Sequence, residues 1–136
     1  MRSTMVRVLI VLALVSAVAV ACGSPASSPS LTGKTWQWTE STISEPAIIP
    51  QPEDYTIEFL VDGTFSAKVD CNQVNGTVTT TADGGMTLVP GPMTLVACPE
   101  GSLADAYLAG LGGVTSYELT SDTLVLTTAT GTMTFK

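Results

Sequence analysis

Residues 55–69 read YTIEFLVDGTFSAKV, and no other stretch constrains the fold as strongly. Tyr55, Ile57, Phe59 and Val61 alternate with residues that include Thr56 and Glu58. After Asp62-Gly63, Phe65, Ala67 and Val69 alternate with Ser66 and Lys68. Successive side chains of a strand point to opposite faces, so each run has an apolar face and a polar one. A DG pair between two such runs predicts a tight hairpin, because a primed turn needs positive φ.

The rest of the chain supplies more strands to cover that apolar face. Residues 34–39, KTWQWT, put Trp36 and Trp38 on one face. Asn75-Gly76 predicts a second turn, leading into the β-branched run at 77–81. Asp83-Gly84-Gly85 turns into residues 86–89, a strand expected to stop at Pro90-Gly91-Pro92. Tyr117 and Leu119, Leu124 and Leu126, and Met133 and Phe135 form three further alternating pairs, separated at Ser121-Asp122 and Thr130-Gly131. This spacing predicts an antiparallel sheet curling on itself. Residues 41–51, with prolines at 46 and 50, read as a loop. Only residues 101–113 carry a helical period, with Leu103, Ala106, Tyr107 and Leu111 on one face. Ser102 is placed to cap that helix, with Asp105 three residues on, and Gly112-Gly113 to end it. The expectation is a mainly β fold, a small antiparallel barrel with one short α-helix plugging or flanking its end.

The chain begins with a different kind of segment. MRSTMVRVLIVLALVSAVAVAC has a basic start at Arg2 and Arg7, an apolar run from Val8 to Ala21, and small residues before a cysteine. That order is a secretory signal peptide over residues 1–21. Ala19-Val20-Ala21-Cys22 resembles a bacterial lipobox, with Ala19 where the pattern prefers Leu. The resemblance implies that Cys22 is acylated and becomes the new N-terminus. The other reading is a plain cut near Ala21 that leaves Cys22 free. Residues 22–32 then form the lipidated cysteine and a Ser/Pro/Gly/Ala-rich flexible tether, whose Gly23–Thr32 part reaches at most about 33–36 Å. Residues 33–136 form the folded domain. With two or more acyl chains the anchor is stable, so the expected place is the outer face of the cell membrane, and the membrane is a partner through the lipid.

Cleavage removes both arginines. Lys34, Lys68 and Lys136 remain against twelve carboxylates, and three minus twelve gives −9. This charge argues against nucleic acid as a partner. The ~105 residues left are enough for one compact domain, expected to be a monomer.

Cys71 and Cys98 are the two cysteines of the domain, and the chain has no histidine. A structural zinc site takes about four Cys or His ligands. A catalytic thiolate, like a Ser-His-Asp triad, wants a histidine base. In an exported chain the two cysteines are expected to pair, the alternative being two buried thiols. Other candidates have two readings each. Asn72 is a ligand contact or a turn stabiliser. Trp36 and Trp38 line a ligand cavity or belong to the core. Glu53, Asp54, Glu58 and Asp62 form an acidic edge without calcium-loop spacing. Asn75-Gly76-Thr77 fits a glycosylation sequon that a bacterial chain is not expected to use.

Taken in order, LTGKTWQW, FLVDGTFSAKVDCNQVNGTV, LVPGPMTLVACPE, SYEL and DTLVLTTATGTMTF resemble the META domain, a family that includes heat-shock-associated envelope proteins. The likeness covers nearly all of residues 31–136. It implies a β-barrel-like fold carrying a helix, with Trp36, Asp62, Gly63, Phe65, Cys71, Asn72, Gly76, Met93, Cys98 and Pro99 as motif positions. Asp70 stands where the family often has glycine, and Thr77-Val78 where an aromatic often follows. The family implies an envelope or secreted role tied to stress, and it carries no agreed catalytic residues; no cofactor is expected. The expected function is a non-enzymatic binding or interaction module with an envelope protein or small ligand as partner. The alternative is a lipocalin-like carrier whose interior holds an apolar molecule.

Overall fold

A computed structural model describes residues 28–136. The signal peptide, Cys22 and most of the tether lie outside the described residues. Nine strands are described: β1 (Thr35–Ser41), β2 (Ala47–Ile48), β3 (Tyr55–Phe59), β4 (Thr64–Val69), β5 (Asn72–Thr80), β6 (Met86–Met93), β7 (Val114–Leu119), β8 (Leu124–Thr128) and β9 (Gly131–Phe135). One helix, α1 (Ala104–Gly112), precedes β7. All strand pairs are antiparallel, in the order β6-β5-β4-β3-β1-β9-β8-β7, with β2 beside the second half of β1. The sheet curls until its first and last strands meet. Tyr117 N donates to Gly84 O at 2.9 Å, and Gly85 bridges Ser116.

The alternation that announced the strands also fills the barrel. Trp36, Ile57, Phe59, Phe65, Leu126 and Phe135 are all 1% exposed or less and point inward. The β3–β4 hairpin forms as expected, with Gly63 at φ +82°. Thr64 donates to the Asp62 carboxylate through its amide and hydroxyl, which holds that carboxyl below its usual range. Val61 departs from its expected place. It is 94% exposed because β3 ends at Phe59 and the turn takes over.

Three further expectations are corrected. Asn75-Gly76 is no turn; it lies within β5, where the register shifts between Val74 and Gly76. The turn joining β4 to β5 is Asp70-Cys71 instead, since Val69 pairs with Asn72. Pro90 does not stop β6, which runs to Met93 with Pro90 opposite Gly76. The loop 41–51 contains β2, and a 3-10 turn at Pro52–Asp54 leads into β3.

α1 covers one end of the barrel, inserting Tyr107 and Leu111, both 0% exposed. The expected Ser102 cap is corrected: Leu103 is the N-cap residue and no side chain caps it, while Ser102 Oγ, one residue earlier, accepts from Ala104 N at 3.2 Å. Ala106, expected on the buried face, is exposed, because Tyr107, Gly110 and Leu111 set the buried stripe. At the opposite end the chain arrives from the tether. Leu31 and Thr32, read as tether, already pack here: Trp36 Nε1 donates to Leu31 O at 3.0 Å and Thr32 bridges Phe59. The barrel thus has a helix end and a tether end.

Gly76 explains a motif position by space. A Cβ there would sit 2.6 Å from the Phe65 ring and against Val89 O. Phe65 is fully buried and cannot swing away. Gly76→Ala is expected to destabilise the domain by about 1–3 kcal/mol, read as a lower Tm by circular dichroism.

Candidate functional site

The helix end is organised around the turn that puts Cys71 outside and Asn72 inside. Asp70, at the position where the family often has glycine, takes φ +56°. Aspartate visits this left-handed region more readily than most residues, so the departure leaves the turn intact. Asn72 is 8% exposed. Its Oδ1 accepts from Val96 N at 2.7 Å and from Thr94 Oγ1 at 3.0 Å, while its Nδ2 donates to Val96 O at 2.9 Å. A carboxamide has the same donor and acceptor as a peptide group, so the side chain pairs with Val96 as a neighbouring strand would. One residue away, Cys71 forms a disulfide with Cys98. The two-thiol alternative is therefore set aside, and the hydrogen bonds of Asn72 go to Thr94 and Val96 across the chain rather than into its own turn.

Together these bonds hold residues 94–99 as a strap running from β6 toward α1. Thr94 N donates to Gln73 O at 3.0 Å at its start, and Ser102 N donates to Pro99 O at 3.2 Å after its end. Leu95 is 86% and Val96 60% exposed. Between strap and helix lies a groove of about 510 Å³ lined by residues including Met93, Val96, Cys98, Ala104 and Leu108. Sequence reasoning missed the strap. Its signal was an apolar run, Leu95-Val96-Ala97, that lacks alternation and follows a Pro-Gly-Pro.

The motif residues do not converge on one place. Cys71, Asn72, Met93, Cys98 and Pro99 gather at the helix end. Trp36, Asp62 and Gly63 lie at the tether end, and Phe65 packs under Gly76 in the wall. Trp36 and Trp38 are core residues, 0% and 2% exposed. Lys34 lies 4.1 Å above the Trp36 ring, a cation–π contact. In the acidic group, Asp54 pairs with Lys68 at 2.6 Å. Among the described residues no three Asp, Glu, Cys or His side chains cluster closely enough to hold a metal ion.

Two measurements weigh the strap's supports. The disulfide joins residues 27 apart, so its reduction is expected to cost about 3–4 kcal/mol on the chain-entropy account, read as a lower denaturation midpoint. Asn72→Ala strands both polar groups of Val96 and is expected to cost about 1–3 kcal/mol. It should also raise amide exchange at Val96 while leaving the disulfide intact by mass.

With the geometry described, comparison with known proteins gives a consistent result. Among solved structures the chain is similar to a DUF4847 family protein from Bacteroides vulgatus ATCC 8482. The identity is 16% and the TM-score 0.60, over 77% of this chain and 92% of that one. It is also similar to a protein from Burkholderia xenovorans solved by NMR. There the identity is 18% and the TM-score 0.60, over 85% of this chain and 94% of that one. At these identities the likeness shows the shared fold alone. No curated protein matches the sequence. The META domain family model matches residues 29–136, and the chain belongs to the META domain family.

Proposed function

We propose that the protein is an exported lipoprotein, held on the outer face of the cell membrane through acylated Cys22. Its META domain is a small, non-enzymatic binding module of the cell envelope. The observation that carries this reading is the strap: Leu95 and Val96 held exposed by Asn72 and the Cys71–Cys98 bond. Leu95 and Val96 line one groove with Met93, Ala104 and Leu108, and a contiguous exposed apolar surface marks an interaction site. Their position fits an anchored protein. The chain enters at the tether end, and a flexible tether from an upstream anchor leaves the helix end free to turn toward a partner. The partner favoured here is an envelope protein, and the family's association with stress is the reason to read the binding as envelope maintenance. The carrier alternative has less support, because Trp36, Phe59, Phe65 and Phe135 fill the space a lipocalin-like ligand would take.

A photo-cross-linking residue at Leu95 is expected to capture a discrete envelope protein in intact cells. The same residue at exposed Thr87 of β6 serves as control. Equal capture at both positions, or none at Leu95, would overturn the strap as the binding face. Separately, Cys22→Ser is expected to move the protein from the membrane to the soluble exported fraction, and continued membrane association would refute the anchor.

A further inference from the structure

On the other side of α1 from the strap, the helix leaves an apolar face uncovered. Leu103, Ala106 and Ala109 line one wall of a groove of about 570 Å³, and Ile43 and Ile49 line the other. Trp38 also lines this groove. It is 2% exposed, and its indole N–H has no hydrogen-bond partner. Among the described residues the only other buried side-chain polar atom in that condition is the Tyr107 hydroxyl. The Tyr107 and Trp38 rings lie 5.2 Å apart. The neighbouring groups are treated differently. Trp36 Nε1 has Leu31 O, and the Tyr55 hydroxyl accepts from Leu103 N at 2.8 Å. Native folds leave few buried donors unpaired, and each one is destabilising unless something outside the chain completes it.

We propose that this groove is a binding site for a small neutral molecule with an apolar chain and a carbonyl-type acceptor. The chain lies between α1 and the 42–49 loop, and the acceptor takes the Trp38 indole hydrogen. The volume suits such a molecule. Glu45 is the one charged residue in the lining, so a carboxylate would be repelled and find no cation to offset it. The loop is tied at Thr42 and Ile43 on one side and at Ile49 on the other. The Trp38 nitrogen is itself buried, so binding requires residues 44–46, between those ties, to move outward when the acceptor reaches it. The site is distinct from the strap face and stands whether or not the strap binds a partner.

Two tryptophans make the test self-controlled. The exported full chain carrying Cys22→Ser is labelled at the indole nitrogens, and the two signals are assigned by replacing either Trp with Phe. The probe is 2-undecanone, with undecane and undecanoate as its acceptor-free and anionic counterparts. The Trp38 indole proton is expected to move downfield as the ketone is added, while that of Trp36 stays. Undecane should bind roughly fivefold more weakly, the loss of one hydrogen bond, and undecanoate more weakly still. Ala106→Trp fills the groove from an exposed position and should abolish binding with the remaining spectrum native. Three results would overturn the proposal. One is a Trp38 proton already in the hydrogen-bonded range without ligand, which would assign it to an internal water. The second is no movement up to the ketone's solubility limit. The third is binding that persists in Ala106→Trp or is equal for undecane.

Discussion

The helix end depends on one insertion: Tyr107 of α1 among the aromatic rings of the barrel. Its ring centroid lies 5.2 Å from Trp38, 5.6 Å from Tyr55 and 6.2 Å from Phe135. A nine-residue helix is too short to be stable alone in water, so α1 exists because this packing holds it. The dependence runs both ways. Without α1 the inner faces of β1, β3 and β9 would open to solvent at that end. The Tyr55 hydroxyl, accepting from Leu103 N at 2.8 Å, fixes where the helix starts, and Gly110 lets it sit close to Met133 and Ile43. Burial also pushes the Tyr107 hydroxyl well above its usual pKa, keeping it protonated. Both grooves follow from this placement, since each is the space between α1 and a segment beside it.

Much of this was legible because local pattern and tertiary demand agree. Ile57, Phe59, Phe65 and Ala67 alternate since one face of their hairpin is the barrel interior, and Asp62-Gly63 marks the turn chemically. Legibility failed where a residue type has two uses. Asn75-Gly76 has the composition of a turn, yet Gly76 serves the approach of Phe65 and Val89 O rather than a positive φ. Pro90 and Pro92 read as a stop, but the meeting with β7 lies at Gly84 and Gly85, and the Pro90 end of β6, paired with β5, is an outer edge that tolerates a missing N–H. Ala106 shares a helical face with Leu103 by period alone. Only the surrounding packing shows that Tyr107, Gly110 and Leu111 turn it outward.

The cysteine pairing could be argued from what the chain lacks, because a domain with no histidine has few other uses for two cysteines. The role of Asn72 could not. Local chemistry assigns an asparagine beside a turn to that turn, whereas its hydrogen bonds go to Thr94 and Val96, which are 22 and 24 residues away. Nothing in the spacing announces a side chain that substitutes for a strand. The strap was missed for the same reason: its order comes from one distant amide and one cross-link, with no period of its own.

That double fixing bears on what the strap can do. An apolar segment that is floppy when free loses conformational entropy when a partner covers it, and that loss is subtracted from affinity. Here Asn72 holds Val96 and the disulfide holds Cys98, so the ordering is already done during folding and the exposed Leu95 and Val96 present a formed surface. The same surface would promote self-association in a neutral protein. Residues 22–136 carry twelve carboxylates against three lysines, and like-charged copies repel one another before their straps meet. Rigidity favours capture of a partner, and the net charge disfavours capture of a second copy. Under the proposed binding role, a neutral or basic surface meets the strap without the repulsion that a second copy would face.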